Sequence, residues 1–344
     1  MTESQQSHRK DEHVFLAEKY FQPQAQAGFD QVRLVHTPLP ETAVAQVALA
    51  PALFDWQWPF FINAMTGGST QTGAINASLG RIAHACHLPL ASGSQSVALR
   101  EPDLIPTFTA LRQADPDGFI LANVGAGATW QQAQTAVAML DANALQIHVN
   151  AIQEAVMPEG DRDFRWLDAI AAIAAHSDVP VIVKEVGNGM SKEALAQLAQ
   201  IGVAYVDLGG RGGTNFAQIE NARRAEPTAW SALADFGQST VESLLEAQDS
   251  TLTVIATGGV RAPLDIVKAL RLGASAVGIS GQVLHWLIQE GEAFAQAQLA
   301  AWQAALPVLF AALGASDLAS LRQVPVVLAP SLLNYANQRQ LKLP

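Results

Sequence analysis

Residues 145–154 read LQIHVNAIQE, a cluster of polar groups in a chain with only 15% charged residues. Strand alternation sends Leu145, Ile147 and Val149 to one face and Gln146, His148 and Asn150 to the other, with Gln153 and Glu154 in the loop beyond. An isolated His is usually a hydrogen-bonded core group, and an isolated Glu after a strand is usually a solvated acid at a helix N-terminus. Together they suit other chemistry: a single carboxylate such as Glu154 fits Mg²⁺, which keeps several waters and is shared with substrate phosphates. Lys184, in VIVKEVG, stands near the end of an apolar run, where Lys is seldom buried without a partner. Two roles fit it, a Schiff-base nucleophile or a cation stabilising an anionic cofactor. Pairing with Glu185 is disfavoured, because adjacent strand residues point to opposite faces. Glycine-rich turns add a phosphate cradle: Gly258 and Gly259 permit close backbone approach, Arg261 pairs with the anion, and LGGRGGT ends on the Thr214 hydroxyl.

These groups need a scaffold that brings distant segments together. Short apolar runs at 59–65, 88–92, 118–124, 144–149, 180–186, 204–209, 252–258 and 275–280 alternate with segments of helical periodicity. SKEALAQLAQIG opens on a Ser N-cap, and both it and APLDIVKALRLG close on Gly. The array predicts a (β/α)₈ TIM barrel in the α/β class, since it fits the roughly 250-residue span of that fold. A doubly wound sheet would want G-x-G-x-x-G in its first turn, and MTGGST is not that fingerprint. One domain is expected, with an N-terminal arm (1–58), the barrel (59–290) and a C-terminal helical tail (291–344). Nearly every strand run ends in Gly plus a polar residue, which points to one polar site at the C-terminal mouth of the barrel. The stretch 214–240 is too long for an ordinary connection and reads as a functional excursion. SHRKDEHV, residues 7–14, reads as a solvated helix or, through Arg9 and Lys10, as a diphosphate clamp folded over a neighbouring barrel mouth.

Composition limits the partners. A net charge of −11 argues against general affinity for nucleic acid or anionic membranes. The single cysteine, Cys86, excludes an intrachain disulfide framework and a Cys-rich zinc site, which fits a reducing cytosol and a cytoplasmic location. Neither a signal peptide nor an apolar run long enough to span a bilayer is present. With a phosphate site and no second redox centre, flavin mononucleotide (FMN), anionic when reduced, is the natural counter-ion of Lys184.

RKDEH, NAMTGG, ASGSQS, NVGA, LQIHVNAIQE, KEVGNGMSKE, GGRGGTNF, GQSTVESLLE and TGGVRAPLDIVKAL together resemble the type 2 isopentenyl-diphosphate isomerases, FMN-dependent (β/α)₈ enzymes. The resemblance runs from about Arg9 into the tail. It implies FMN contacts at Ala64, Met65 and Thr66, at Ser94 and Asn123, at Lys184 and Thr214, at Gly258, Gly259 and Arg261, and at Ser280 and Gly281. It implies a substrate diphosphate held by Arg9 and Lys10 with Gln95, Ser96 and His148. Gln153 would lie against the isoprenoid part, and Glu154 would hold Mg²⁺ bridged to the diphosphate. Gln153, His148 and Lys184 are thereby the candidate catalytic groups. The implied reaction shifts an allylic double bond, with reduced FMN as acid and base and NADPH needed only to reduce the flavin at the outset. The N-terminal arm and the excursion after Thr214 are candidate lids that keep a carbocation from water.

The pattern departs from the family where many members read SGSQR. This chain has Ser96 at the expected Arg, and Arg100, a turn downstream, is the candidate replacement. A 2-hydroxy acid oxidase on the same barrel would want a His near the seventh or eighth strand, and LTVIATGGVRAPLDIVKAL has none. A homo-oligomer, tetramer or octamer, is expected, because the arm and the apolar tail around LAAWQAALPVLFAAL would bury well against a second subunit.

Overall fold

A computed structural model describes residues 5–50 and 52–344; residues 1–4 and 51, which the expected arm includes, lie outside the described residues. Its strands are β1 (Val32–Leu34), β2 (Phe60–Ile62), β3 (Leu90–Ala91), β4 (Ile120–Gly125), β5 (Ala144–Val149), β6 (Val181–Glu185), β7 (Tyr205–Asp207), β8 (Thr253–Thr257), β9 (Ala276–Ile279) and β10 (Val326–Leu328). Strands β2 to β9 close a parallel barrel in sequence order. All eight coincide with the expected runs, and β4 extends one residue further, to Gly125.

Alternation divides the barrel strands. Outward residues such as Phe60, Ile62, Val124, Ile147, Val183 and Val277 are buried against the surrounding helices. Inward residues form layers. The lower one is apolar, with Phe61, Leu121, Ala144, Ile182, Ile255 and Ala276. Trp56 closes the barrel from below, its ring 5.1 Å from Phe61 and 5.4 Å from Phe119. Above it lies a polar layer of Asn123, Gln146, Lys184 and Asp207, all buried, so the apolar plug isolates one end and leaves chemistry to the other.

Helix ends follow the expected chemistry. Ser191 accepts from the backbone N–H of Ala194 (3.4 Å) to cap the Lys192–Gln200 helix, and Gly202 follows it with φ 85°. Pro263 opens the next predicted helix, Pro263–Arg271. The excursion after Thr214 forms a helix, Phe216–Ala222, and a 3₁₀ segment, Pro227–Asp235, and returns where the Arg211 N–H donates to the Gln238 carbonyl at 2.9 Å.

One expectation is corrected. The tail is not purely helical, since β10 pairs antiparallel with β1 of the arm, Val32 opposite Leu328. These strands are three residues each, too short to show a period, and their partners lie at opposite ends of the chain. Part of the apolar tail packs within its own chain. Leu299, Trp302, Leu306 and Phe310 of the Glu292–Ala312 helix are at most 6% exposed, packed into the core of their own chain.

Candidate active site

The mouth of the barrel opens into a cavity of about 600 Å³, of a size that holds a cofactor and a small substrate. Strand pairing sets its floor: Gly125 lies opposite His148, His148 opposite Lys184, and Lys184 opposite Asp207, at one level near the strand tops. Ala64, Met65 and Thr66 after β2, with Asn123 on β4, line one part of the wall. Thr214, Gly258, Gly259, Arg261, Ser280 and Gly281 line another. Gly258 and Gly259 have φ of 121° and 67°, which L side chains rarely adopt, and a Cβ on Gly258 would sit 2.1 Å from the Gly210 carbonyl oxygen. A Cβ on Gly281 would lie 3.0 Å from Thr214 Oγ1. Gly281 begins the ten-residue Gly281–Glu290 helix, whose N-terminus is an anion-binding end. Arg261 lies over the Phe21 ring, 4.7 Å from its centroid, and burial pushes its pKa down to about 10, as expected of a cation short of anions. Glycine cradle, helix end and buried guanidinium fit a phosphate group. Lys184, buried on β6, fits an anionic ring beside it, so the residues present suit FMN.

A second cationic pole faces the cavity from the N-terminal helix, Gln5–Lys19, which lies across the mouth of its own barrel rather than a neighbouring one. Asp11 accepts from Ser69 Oγ, Glu18 Oε1 lies 2.7 Å from His285 Nδ1, and Val14 and Leu16 are buried. Arg9 Nη1 lies 3.4 Å from Glu159 Oε1, while its buried Nε has no hydrogen-bond partner. Lys10 Nζ reaches only the Ser94 carbonyl, at 3.5 Å. Burial and the neighbouring Arg9 and Arg100 guanidinium groups push its pKa down to about 8, against a pull from Glu220. A buried, poorly satisfied cation pair at a cavity wall is built for an anion. Ser94, Ser96 and Arg100 line the same cavity, so Arg100 and Lys10 share one pole. Gln95 does not reach it. Fully buried, it accepts from the Asn123 N–H (2.9 Å) and donates to the Ala136 carbonyl (2.9 Å), because the short helical turn after Ser94 points it inward.

On β5 and the helix after it, His148 Nδ1 lies 2.8 Å from Asn123 Oδ1. Burial and the charges of Lys184 and Lys10 push its pKa down to about 3, opposed weakly by the Val124 carbonyl. Glu154 accepts from Asn150 Nδ2 (3.1 Å) on one oxygen and from the Asp161 N–H (2.8 Å) on the other, and it lines the cavity. No group of three His, Cys, Asp or Glu suited to a metal occurs among the described residues. Lys184 Nζ donates to the Glu185 backbone carbonyl (3.1 Å) and not to its carboxylate, as alternation requires. Burial lowers the Lys184 pKa, and Asp207 and Glu185 oppose it.

Sequence reasoning missed Glu220, on the helix of the excursion. Its side chain is fully buried and accepts from Gln153 Nε2 (2.8 Å) and Arg223 Nη1 (2.6 Å), with His13 Nε2 at 2.9 Å. Burial alone would raise its pKa, but His13, Gln153 and Arg223 overcome this and hold it down at about 2. The available signals were the helical spacing that puts Arg9, Lys10 and His13 on one face, and an acid within an excursion already marked as functional. Glu185 was missed as a cavity group as well; burial pushes its carboxyl up to about 7.

The fold and this site define an FMN-binding (β/α)₈ barrel. The family model described as FMN-dependent dehydrogenase matches residues 95–327. A flavocytochrome b2 mutant with pyruvate bound superposes with a TM-score of 0.65 at 18% identity, covering 96% of this chain and 85% of that one. A mutant chimera of (S)-mandelate dehydrogenase gives 0.64 at 19%, covering 92% and 98%. At such identities the likeness shows the fold. Sequence relatives are far nearer. Isopentenyl-diphosphate delta-isomerases are 61% identical in Lacticaseibacillus paracasei and 56% in Latilactobacillus sakei, each over 99% of both chains. That of Staphylococcus epidermidis is 45% identical over 100% of this chain and 99% of its own. The chain belongs to the isopentenyl-diphosphate delta-isomerase family, in its FMN-dependent type 2 branch.

Proposed function

We propose that the protein interconverts isopentenyl diphosphate and dimethylallyl diphosphate, as a single-domain cytoplasmic enzyme that uses FMN, Mg²⁺ and, for the initial reduction of the flavin, NADPH. The observation that carries the reading is the pair of anion-binding poles on one cavity. The β8–β9 side offers Gly258, Gly259, Arg261 and the helix end at Gly281 to one phosphate group. Arg9, Lys10, Ser96 and Arg100 offer a second site to a diphosphate.

Reduced FMN, when bound, would supply an electron-rich ring and a proton donor and acceptor. In the net reaction one proton is added at one end of the allylic system and another is removed at the other end, with no change of oxidation state. Lys184 would hold negative charge at the ring. Glu154 would hold Mg²⁺. Gln153, fixed by its bond to Glu220, orients the isoprenoid portion. The N-terminal helix and the excursion meet through Arg223, which donates to Glu12 (2.9 Å) and Glu220, and together they exclude water from a cationic centre. No helix among the described residues is long and apolar enough to cross a membrane. Assembly into a homo-oligomer, tetramer or octamer, is part of the same proposal, and sedimentation tests it.

The deciding experiment is an anaerobic assay with isopentenyl diphosphate, FMN, NADPH and Mg²⁺, following dimethylallyl diphosphate. Product that requires reduced FMN is expected. Absence of product with FMN demonstrably bound would overturn the assignment.

A further inference from the structure

Under the cavity floor, side chains from five neighbouring regions of the barrel form one continuous hydrogen-bonded chain. Asp207 Oδ2, at the end of β7, accepts from Asn63 Nδ2 (2.6 Å) and from Thr257 Oγ1 (2.9 Å). Asn63 Oδ1 accepts from the Ala64 N–H (2.8 Å) and from Gln146 Nε2 (2.8 Å). Asn123 Nδ2 donates to Gln146 Oε1 (3.1 Å), and Asn123 Oδ1 faces His148 Nδ1 at 2.8 Å. Asp207, Asn63, Gln146 and Asn123 are all at most 2% exposed, so each polar atom must find its partner within the chain.

The polarity of this chain follows from its ends. A backbone N–H can only donate, so the Ala64 N–H fixes Asn63 Oδ1 as the acceptor and turns Asn63 Nδ2 toward Asp207. Asp207 Oδ2, which accepts from Thr257 Oγ1 as well, takes the Asn63 Nδ2 donor in the same orientation. With Asn63 Oδ1 accepting, Gln146 must present Nε2 to it and therefore Oε1 to Asn123. Asn123 must then present Nδ2 to Gln146 and Oδ1 to His148. A carbonyl oxygen facing a ring nitrogen at hydrogen-bond distance requires that nitrogen to carry the proton.

We propose that Asp207, Asn63, Gln146 and Asn123 are positioning residues that hold His148 as the neutral Nδ1–H tautomer, leaving Nε2 as a hydrogen-bond acceptor. The neutral ring cannot donate from Nε2 to a diphosphate oxygen. His148 therefore meets that group through an intervening donor, such as a bound water, or only after taking up a proton. The tautomer is a property of the chain itself and stands independently of the proposed reaction.

Long-range proton–nitrogen NMR on the full-length chain, with ¹⁵N-labelled histidine and with or without FMN, separates the two neutral tautomers; loss of a signal in His148→Gln assigns it. At neutral pH the Nδ1–H form is expected to dominate by at least about tenfold, the weight of one hydrogen bond kept rather than lost. A dominant Nε2–H form overturns the proposal. Gln146→Met fills a similar volume but frees the Asn123 amide to turn, so the ratio should fall toward unity. Gln146→Glu should restore it, since either protonation state offers Asn123 an acceptor. Equal ratios in the wild type and Gln146→Met would show that the chain does not set the tautomer. If Gln146→Met does not fold, the wild-type and Gln146→Glu spectra still decide, because a dominant Nε2–H form in either refutes the polarity.

Discussion

Replacing Glu220 by Gln keeps the shape of the side chain and removes its charge, so at every pH the variant imitates the protonated wild type. The fall of the Glu220 pKa from 4.5 to about 2 reflects partners that overcome its burial. At roughly 1.4 kcal/mol per tenfold change in acidity, that fall corresponds to about 3 kcal/mol. An independent figure agrees: leaving a partner of a buried ion pair uncompensated costs roughly 3–5 kcal/mol, with the lower end apt here. Arg223 keeps Glu12 at 2.9 Å and Glu159 at 3.0 Å after the substitution. Because the folded pKa is depressed, the stabilisation is complete above pH 4.5 and is lost as pH falls toward 2. Unfolding entropy of about 2.1 cal/mol/K per residue gives about 0.7 kcal/mol/K for a chain of 344 residues. Glu220→Gln should accordingly lower Tm by about 4 °C at neutral pH. The gap should narrow to about 2 °C near pH 3, where the linkage leaves about 1.4 kcal/mol. Calorimetric scans of both proteins across this range are the assay. A gap below about 1 °C at neutral pH, or one that does not close with acid, would refute the view that an ionised Glu220 ties the excursion and the N-terminal helix to Gln153.

Glu185 should show the opposite sign. Its pKa is raised from 4.5 to about 7, so its contribution is complete below pH 4.5 and lost as pH rises through 7. Glu185→Gln should match the wild type in urea unfolding at low pH and exceed it by about 3 kcal/mol above pH 7, and a difference independent of pH would remove burial as the cause. Glu154→Gln should raise the Mg²⁺ concentration for half-maximal isomerisation by at least about tenfold. An unchanged Mg²⁺ titration would take the metal away from Glu154.

The order and type of the barrel strands were determined by the sequence, because inward and outward faces alternate within each short run and the helices between them carry their own caps. Local patterns of this kind need no knowledge of the rest of the chain. The motif-bearing strand ends followed from the same logic, since consecutive parallel strands bring their C-terminal ends to one mouth. Where the period failed, tertiary structure decided. Gln95 stands among cavity residues in the chain, yet a single helical turn sends it to the backbone of Asn123 and Ala136. The tail's apolar stripe carried no mark of its partner and was used by its own barrel. β1 and β10 paired across almost the whole chain, with no period to announce them. Glu220 met Gln153 and His13 across sequence separations of 67 and 207 residues, and the Asp207-to-His148 chain was assembled from five separate segments. Such contacts depend on closure of the barrel and on the path of the chain over its mouth, and only the folded chain brings those atoms within hydrogen-bond distance.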